Sequence, residues 1–498
     1  MAEGKRTDGR SPVFAAAEYR GALRDLPNVA AWENLEPPQL SEISVPPTHN
    51  KALSPETTIV EGMRGAGKSF WTAVLANDTT RAFVAAEARL ATNQPLVVRV
   101  GFGLDLSNND FPSPQFMAAL VDSPQPPDAI WRAVLLRHAL KLLEKDLPFD
   151  DNWQSAVGWV AAQPAKVAET LATVDRELAA QGRTLLLLFD ALDRLGDDWS
   201  RIRDLLTAAL KLGLECRSRR ALRCKFFLRP DMVEEEDEVW RFADSAKLLH
   251  PKATLDWSAD DLYRLVVQHL ANSPAAGAAF RATLAQHCGV RWSEAHGAYP
   301  LPRDLPAEAL RWVIEDLAGP WVGRSATRGF TWTWIPTHLA DAKRRLSPRS
   351  ILLAFREAAE WTEQHQRSDP RALHFQGVQQ GVVKASAIRV RELQEDYPWV
   401  EPLLRALSRS TVPLSFDELA QHWTPVCISE SLAAAASKQR LPPRRYSSAG
   451  GRNLAALLED LVELAVLYPT EDRKRYNMPD IFRVGFGIKR KGGVRPLR

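Results

Sequence analysis

Nine consecutive residues near the start of the chain have the types and spacing that bind phosphate. Residues 61–69 read EGMRGAGKS and fit the pattern G-x-x-x-x-G-K-[ST]. The glycines let successive backbone N–H groups converge on a phosphate at the start of a helix. Lys68 would then reach the outer phosphates of a nucleoside triphosphate, and the Ser69 hydroxyl would hold Mg²⁺. The predicted nucleotide-binding residues are Gly62, Arg64, Gly65, Ala66, Gly67, Lys68, Ser69 and Phe70. A glycine-rich turn that ends in Lys-Ser by chance is the alternative.

A second chemical signal is the stretch 185–194, LLLLFDALDR. Its apolar run is typical of a strand buried on both faces of a parallel sheet. A carboxylate at the carboxyl end of such a strand emerges where open α/β sheets bind ligands. Asp190 is therefore predicted to bind Mg²⁺ with Ser69, and Asp193 to orient or deprotonate the attacking water. A helix N-cap role for Asp190 and an ion pair between Asp193 and Arg194 are the alternatives.

A third signal is the stretch 224–230, CKFFLRP. It predicts a strand that ends in a cation, because Pro230 stops regular pairing. Arg229 at this strand end is predicted to sense the terminal phosphate. The alternative is a structural ion pair with Asp231 or with the acidic run 234–238.

The segments around these motifs indicate alternating strands and helices. Residues 57–60 are β-branched and apolar like a buried strand, and residues 70–75 can open a helix behind the loop. Residues 95–101 predict another buried strand, and residues 129–136 have apolar positions at helical spacing. The long separation of the first two motifs leaves room for an extra strand between them in the sheet.

The last part of the chain combines short helices with a basic hairpin. Residues 414–423 begin with a cap and carry an apolar face, and residues 454–464 form a second amphipathic helix. Residues 466–468 can then pair with residues 476–478. Helices followed by such a hairpin are similar to a winged helix. Its cations, which can neutralise nucleic-acid phosphates, are Arg473, Lys474, Arg475, Lys489, Arg490 and Lys491.

The acidic character of helix 454–464 argues against DNA recognition by that helix. It carries Glu459, Asp460 and Glu463, whereas a helix that enters the major groove should not expose carboxylates. An intramolecular or protein contact is therefore favoured over nucleic acid.

Length and composition set the domain count. At 498 residues the chain is too long for one core and predicts about three domains. The predicted fold class is α/β, a P-loop NTPase core with a parallel sheet, followed by an α-helical lid and a C-terminal winged-helix-like domain. The predicted divisions are an irregular N-terminal arm at 1–50, the P-loop ATPase core at 51–250, the helical lid and helical region at 251–384, and the winged-helix-like domain with its basic tail at 385–498.

The composition is that of an ordinary globular protein, with 45% hydrophobic and 25% charged residues. No apolar run approaches the roughly 18 residues of a membrane span, and the first residues lead into no apolar segment of a signal peptide. We therefore expect a cytoplasmic protein without a membrane partner. The four cysteines lack C-x-x-C spacing, so neither a zinc site nor a disulfide framework is predicted.

The three motifs together resemble those of the signalling ATPases called STAND and of their bacterial relatives, the KAP ATPases, within the AAA+ and additional-strand class. The resemblance rests on the phosphate loop, the DALDR strand end and the FLRP strand end, and covers residues 51–490. Residues 478–493 also resemble the ending of certain P-loop ATPases of bacterial conflict systems. The sequence has no downstream N-K-x-D for guanine and no L-S-G-G-Q transporter signature, so ATP with Mg²⁺ is expected.

This resemblance implies an ATP-hydrolysing molecular switch, the regulatory ATPase of a bacterial antiphage defence or other conflict system. Ser347 as N-cap and Pro348 in the first turn predict a helix start, with Arg349 beside them. In AAA+ proteins a helical lid presents a second sensor, and Arg349 has that position. An exposed or interface arginine is the alternative for Arg349. His338 is predicted to be a packed histidine. The winged helix of STAND proteins often clamps the nucleotide domain.

The resemblance also implies partners. Homo-oligomerisation on ATP binding is expected, with Arg217, Arg219 or Arg220 completing a neighbour's site. STAND proteins usually carry an effector domain before the core and a repeat array after it, and this sequence shows neither. We therefore expect a separately encoded effector or sensor protein.

An alternative function is a DNA-loading AAA+ protein similar to replication initiators or transposition regulators. In that case the winged helix and the basic tail would bind duplex DNA. A small-molecule kinase is a third possibility, but it would leave the two C-terminal domains unexplained.

Overall fold

The computed structural model describes residues 11–27, 36–90, 95–104, 109–121, 126–196, 199–234, 238–428, 442–448 and 453–492. None of the helices in these ranges combines the length and the apolar character needed to cross a membrane. The strands are β1 (Ile59–Glu61), β2 (Leu96–Phe102), β3 (Thr184–Phe189), β4 (Leu222–Leu228), β5 (Ala253–Thr254), β6 (Thr411–Val412), β7 (Leu414–Ser415), β8 (Tyr468–Pro469), β9 (Arg475–Asn477) and β10 (Lys489–Arg490).

Helices fall into two groups, before and after β5. The first group is α1 (Ala16–Arg24), α2 (Asn50–Leu53), α3 (Lys68–Ala76), α4 (Asp78–Glu87), α5 (Pro114–Val121), α6 (Pro127–Leu142), α7 (Trp153–Ala162), α8 (Pro164–Ala180), α9 (Trp199–Arg217) and α10 (Ala246–Leu249). The second group is α11 (Ala259–Ala271), α12 (Gly277–Cys288), α13 (Ala307–Ala318), α14 (Thr331–Leu339), α15 (Pro348–His365), α16 (Phe375–Asp396), α17 (Val400–Ala406), α18 (Phe416–Ile428), α19 (Arg444–Ser448), α20 (Leu454–Glu463) and α21 (Asp480–Arg483).

A five-stranded parallel sheet forms the core, in the order β2-β3-β4-β1-β5. The predicted α/β fold with a parallel sheet is confirmed. The strand between β1 and β3 is β4, which follows β3 along the chain. The residues between the first two motifs instead supply β2, which lies at the edge of the sheet. Because the strands are parallel, the three motifs meet at their carboxyl ends.

Alternate residues of the strands face opposite sides of the sheet, as strand geometry requires. On one side, Leu185 and Leu187 pack with helices α6 to α9. On the other side, Leu186 and Leu188 pack with α3 and α4. This burial on both faces explains why β3 is an unbroken apolar run in the sequence.

The helical region after the sheet is organised around α15 and α16. Arg349 near the start of α15 contacts Glu392 near the end of α16, so the two helices run antiparallel. Two glycines of α16 allow the close approach. A Cβ on Gly377 would stand 2.7 Å from the Ala358 carbonyl oxygen, and one on Gly381 would collide with the carbonyl of Ala354. Side chains larger than hydrogen would therefore separate the pair.

The N-terminal segment docks on this helical region. The predicted irregular arm contains helix α1, which packs against α15. Arg20 of α1 is 1% exposed and pairs with Glu363. Its guanidinium donates hydrogen bonds to the loop between α15 and α16, at the carbonyl oxygens of Arg367, Asp369, Arg371 and Ala372. The N-terminal segment is thus bound to a loop that lies far later in the chain. Local sequence does not indicate this contact.

The last part of the chain combines helices with a small antiparallel sheet in the order β7-β9-β8. The predicted hairpin consists of β8 and β9, in which Tyr468 pairs with Asn477. Strand β10 pairs separately with β6, in parallel. The assignment of this region to a winged-helix-like domain stays a prediction.

Lys225 of β4 is fully buried and still finds partners for its amine. Nζ donates hydrogen bonds to the carbonyl oxygens of Ala52 at 2.7 Å, Ser54 at 2.9 Å and Thr57 at 2.7 Å. Burial lowers the pKa of Lys225 to about 7, whereas the carbonyl oxygens favour the protonated amine. Through these hydrogen bonds Lys225 holds the segment that leads into β1 against the sheet.

Lys225→Met is expected to destabilise the protein, because three carbonyl oxygens lose a buried donor while the side-chain volume is nearly kept. We expect a loss on the order of 3 kcal/mol, measured as a lower midpoint of the first transition in scanning calorimetry. The matched control is Lys247→Met, because the Lys247 side chain is 64% exposed. Equal midpoints for the two variants would contradict the proposed fastening role.

Candidate functional site

The phosphate loop connects β1 to α3, in the strand–loop–helix arrangement that the sequence predicts. Gly65 and Gly67 have φ angles of 81° and 100°, in the left-handed region that favours glycine. A Cβ on Gly65 would also stand 2.5 Å from the Ser347 hydroxyl oxygen. Helix α3 begins at Lys68, so its first N–H groups and the positive end of its dipole face the loop. The backbone therefore forms a site for an anion.

Lys68 lies against the loop and contacts its backbone. Its Nζ donates hydrogen bonds to the carbonyl oxygens of Gly62 at 2.6 Å and Met63 at 3.1 Å. Burial, together with the nearby cation of Arg229, lowers the pKa of Lys68 to about 8, and Asp190 acts in the opposite direction. A bound anion would favour the charged amine.

Asp190 follows β3 and lies near Ser69. Its N–H donates to the Phe102 carbonyl oxygen at 2.9 Å, so the sheet holds its position. Ala191 then adopts φ 54°, which turns the chain away from the sheet. Burial raises the pKa of Asp190, against the lowering effects of Ser69 and Lys68. A hydroxyl and a carboxylate near each other are oxygen donors that fit Mg²⁺.

Arg229 follows β4, between the two motif strands, and is 7% exposed. Its guanidinium pairs with Asp193 at 3.4 Å, Asp231 at 3.3 Å and Asp396 at 2.8 Å. It also donates a hydrogen bond to the Tyr397 hydroxyl at 2.7 Å. Burial disfavours the charge, but these neighbours keep the pKa of Arg229 above its ordinary value. The alternative pairing with Asp231 is thus present, and Asp193 has a partner that the sequence did not indicate.

The start of α15 lies against the phosphate loop. Ser347 occupies the N-cap position, as predicted, but its hydroxyl makes no cap hydrogen bond. The hydroxyl donates instead to the Gly65 carbonyl oxygen at 3.0 Å, because α15 begins directly against the loop. Arg349 donates a hydrogen bond to Glu392 at 2.5 Å. His338 is packed as predicted, stacked on Trp334.

The end of α16 brings a cluster of carboxylates, here called the acidic end, to the same place. The acidic end consists of Glu392, Glu395 and Asp396. Arg64 of the loop pairs with Asp396 at 2.5 Å and with Glu395 at 2.7 Å. This cluster was not among the site residues predicted from the sequence. Its spacing of three and four residues places the carboxylates on one helix face, which was the available signal.

A cavity of about 110 Å³ joins the phosphate loop, the strand ends and the helical region. The predicted site residues that line it are Arg64, Gly65, Gly67, Lys68, Ser69, Phe70, Asp190, Asp193, Arg229 and Arg349. The additional lining residues are Leu104, Ala191, Arg194 and Asp396. Gly62 and Ala66 provide carbonyl oxygens, to Lys68 and to the indole N–H of Trp257 respectively. The cavity is thus lined by groups suited to a phosphate chain and its metal.

The three arginines predicted to complete a neighbour's site lie before β4, at the opposite end of that strand from the cavity. Arg219 pairs with Glu215, and Arg217 donates to the Lys247 carbonyl oxygen. Arg220 is exposed. Their action on a second copy of the chain stays a prediction.

Comparison with known proteins gives weak similarities that extend over most of the chain. A Walker-type ATPase of Pyrococcus abyssi is 13% identical, with 88% of this chain and 94% of that chain covered and a TM-score of 0.37. The ORC2 protein of Aeropyrum pernix is 14% identical in two structures. In its ADPNP–ADP complexes, 93% of this chain and 98% of that chain are covered with a TM-score of 0.30. In its ADP form, 85% of this chain and 84% of that chain are covered, with a TM-score of 0.28.

No protein-family model matches the sequence, and no curated protein matches it. Because the TM-scores lie below 0.5, the fold assignment rests on the sheet order and the loop geometry described above.

Ser347→Ala is expected to loosen the phosphate loop, because the Gly65 carbonyl loses its hydrogen bond from α15. A loss of about 1 kcal/mol corresponds to about five-fold faster local opening. Hydrogen exchange of the amides of residues 62–69 measures this change. The matched control is Ser350→Ala, which removes a buried hydroxyl one turn later in the same helix. Equal exchange in both variants would refute the contribution of the Ser347 hydroxyl.

Proposed function

We propose that this chain is a Mg²⁺-dependent ATPase that works as a nucleotide-controlled switch of the AAA+ kind. The observation that carries the proposal is the placement of Lys68, Ser69 and Asp190 around one cavity at the carboxyl edge of the parallel sheet. A glycine-rich loop, a loop lysine, a hydroxyl and a strand-end carboxylate in one cavity form the donor set of phosphoryl-transfer sites.

The roles of the residues follow from their positions. When bound, ATP supplies the anhydride to be cleaved, and Mg²⁺ neutralises charge on its phosphate oxygens. The loop backbone and Lys68 bind the phosphates, while Ser69 and Asp190 hold the metal. Asp193 orients the attacking water and accepts its proton, because it lines the cavity one turn beyond Asp190.

Arg229 and Arg349 act as sensors of the terminal phosphate. Arg229 belongs to the core and Arg349 to the helical region, and both line the cavity. A phosphate bound by both would join the two parts of the protein. The population of the joined and separated forms would then depend on the nucleotide, which is the property of a switch.

The biological setting of the switch is also part of the proposal. The resemblance to STAND and KAP ATPases supports a regulatory ATPase of a bacterial antiphage or other conflict system. Such an ATPase would act on a separate effector and assemble with copies of itself when ATP is bound. The cytoplasm is the compartment where ATP would reach it.

Two substitutions separate binding from turnover. Lys68→Ala is expected to weaken binding of Mg²⁺–ATP by at least about 100-fold, because the phosphates lose their cation. Asp190→Asn is expected to retain nucleotide binding and to lower Mg²⁺-dependent phosphate release by about 100-fold, because the metal loses its carboxylate. Titration calorimetry measures the first effect, and a phosphate-release assay measures the second.

The control for this experiment is Lys51→Ala. It removes an exposed lysine near the same sheet, whose amine donates a hydrogen bond to the Lys252 carbonyl oxygen. It should bind and hydrolyse ATP like the parent. Unchanged ATP affinity in Lys68→Ala would refute the assignment of the loop.

DNA binding is the second candidate function, and the exposed cations of the C-terminal hairpin favour it. Arg473, Lys474 and Arg475 are all exposed. Two observations argue against DNA binding. Helix α20, in the place of a recognition helix, has five of its ten residues buried, and its Asp460 accepts hydrogen bonds from the backbone of α19. Arg490, counted among the basic residues, pairs with the buried Asp480.

The triple variant Arg473→Gln, Lys474→Gln, Arg475→Gln tests this second candidate. If the hairpin binds DNA, the slope of log affinity against log salt should fall by about 2 to 3 in magnitude, because that many phosphate contacts are lost. Fluorescence anisotropy with a duplex at several salt concentrations measures the slope. The control, Arg241→Gln with Lys247→Gln, removes exposed cations of the core. If the parent binds no duplex at low salt, the second candidate is excluded.

A further inference from the structure

The acidic end of α16 contacts cations that a terminal phosphate would also require. Asp396 pairs with both Arg229 and Arg64, and it lines the cavity together with Lys68. Glu392 pairs with Arg349 and with Arg389, whose guanidinium also donates to the Arg64 carbonyl oxygen. Both predicted sensors are therefore engaged by carboxylates of a single helix.

Because these groups are buried, Arg229 cannot bind a further anion while all of its present partners stay in place. The Asp396 side chain is 13% exposed, and that of Arg229 is 8% exposed. A charge taken out of water to this extent needs a partner of opposite sign at short range. The guanidinium group of Arg229 already has three carboxylates and a hydroxyl around it. A further anion at Arg229 would have to replace one of them, because like charges repel strongly at this depth.

Carboxylate and phosphate oxygens are recognised by the same guanidinium fork. Asp231 lies two residues from Arg229 in the chain, and Asp193 belongs to the core beside β3, so neither can leave without distorting the core. Asp396 is the partner that comes from another part of the protein, at the last residue of α16. Asp396 is therefore the carboxylate that can leave Arg229 when α16 moves.

We propose that Asp396, supported by Glu392, is an internal competitor of the terminal phosphate of ATP. The inference rests on the proposed nucleotide site. Arg229 and Arg64 hold Asp396 when the cavity contains no third phosphate, as in the free and ADP-bound protein. They exchange it for the γ-phosphate in the ATP-bound protein. The end of α16 and the chain that follows it then leave Arg229 and Arg64, while the γ-phosphate joins the core to the start of α15 through Arg229 and Arg349.

The residues after Asp396 show how far this release extends. Tyr397 is buried, and its hydroxyl accepts the hydrogen bond from Arg229. Trp399 and Val400 follow directly and belong to the apolar cluster of the helical and C-terminal regions. The exchange at Arg229 would therefore be transmitted to α17 and the elements beyond it.

Asp396→Asn tests the proposal by nucleotide binding. It keeps the shape of the side chain and removes the competing charge. We expect the Kd of Mg²⁺–AMP-PNP, a non-hydrolysable ATP analogue, to fall about ten-fold, and the Kd of Mg²⁺–ADP to change less than about two-fold. Titration calorimetry on the full chain measures both. Equal shifts for the two nucleotides, or no shift, would overturn the proposal, because Asp396 is proposed to compete with the third phosphate alone.

Hydrogen exchange of the parent protein provides a readout that does not depend on a variant folding. We expect the amides of residues 389–400 to exchange faster with AMP-PNP than with ADP. In Asp396→Asn, the same amides should exchange faster even without nucleotide. Equal protection of residues 389–400 with AMP-PNP and ADP in the parent would contradict the exchange of partners.

A matched control and a binding control separate the possible failures. Glu401→Gln removes a carboxylate five residues later, which pairs with Arg405 on the surface. Its affinity for both nucleotides should equal that of the parent, and a shift like that of Asp396→Asn would overturn the proposal. If the parent binds neither nucleotide, the proposed function itself fails. If binding depends on Lys68 but Asp396→Asn behaves like the parent, the competitor role alone is wrong.

Discussion

The meeting of three strand ends at one edge of the sheet is the constraint on which the site depends. Strands β1 and β3 are not neighbours, since β4 lies between them. Ser69, Arg229 and Asp190 therefore come from three adjacent positions at this edge and converge on one cavity. Parallel strands make this convergence possible because all of them end on the same side. Moving β4 elsewhere would take Arg229 out of this cavity.

Charge balance is the second constraint. The buried guanidinium of Arg229 is stable only because several acidic groups surround it, and removing one partner from such a cluster costs more than the pair contributes. The acidic end of α16 supplies one of these groups from outside the core. The core, the helical region and the C-terminal region are thus electrostatically interdependent. A ligand with its own negative charge would change that balance at its centre.

Local patterns in the sequence were sufficient for the core of the fold. The glycine spacing predicted the loop, whose glycines have left-handed φ angles, and the apolar run before Asp190 predicted a strand buried on both faces. The helix start at Pro348 was also predicted from local residue types. These features depend on neighbours within a few positions, where propensity and periodicity are informative.

The rest depended on contacts between distant segments. The Ser347 hydroxyl was expected to cap its own helix, and its actual partner, Gly65, has no local signature. The acidic end had the spacing of one helix face, but nothing near it in the chain named Arg64 or Arg229 as partners. Likewise, β4 lies between two strands that both precede it in sequence. Such order is decided by packing of the whole sheet rather than by any stretch of it.

The antiparallel pair of α15 and α16 has the geometry of a lever. The start of α15 and the end of α16 both lie at the phosphate loop, while the turn between the helices is gripped by Arg20 of α1. An 18-residue helix such as α15 spans roughly 27 Å, so a tilt of about 5° at the loop displaces the turn by about 2 Å. The glycines of α16 bring the two helices into close contact. A movement at the phosphate loop would therefore be transmitted to the N-terminal helix α1, which does not touch the loop.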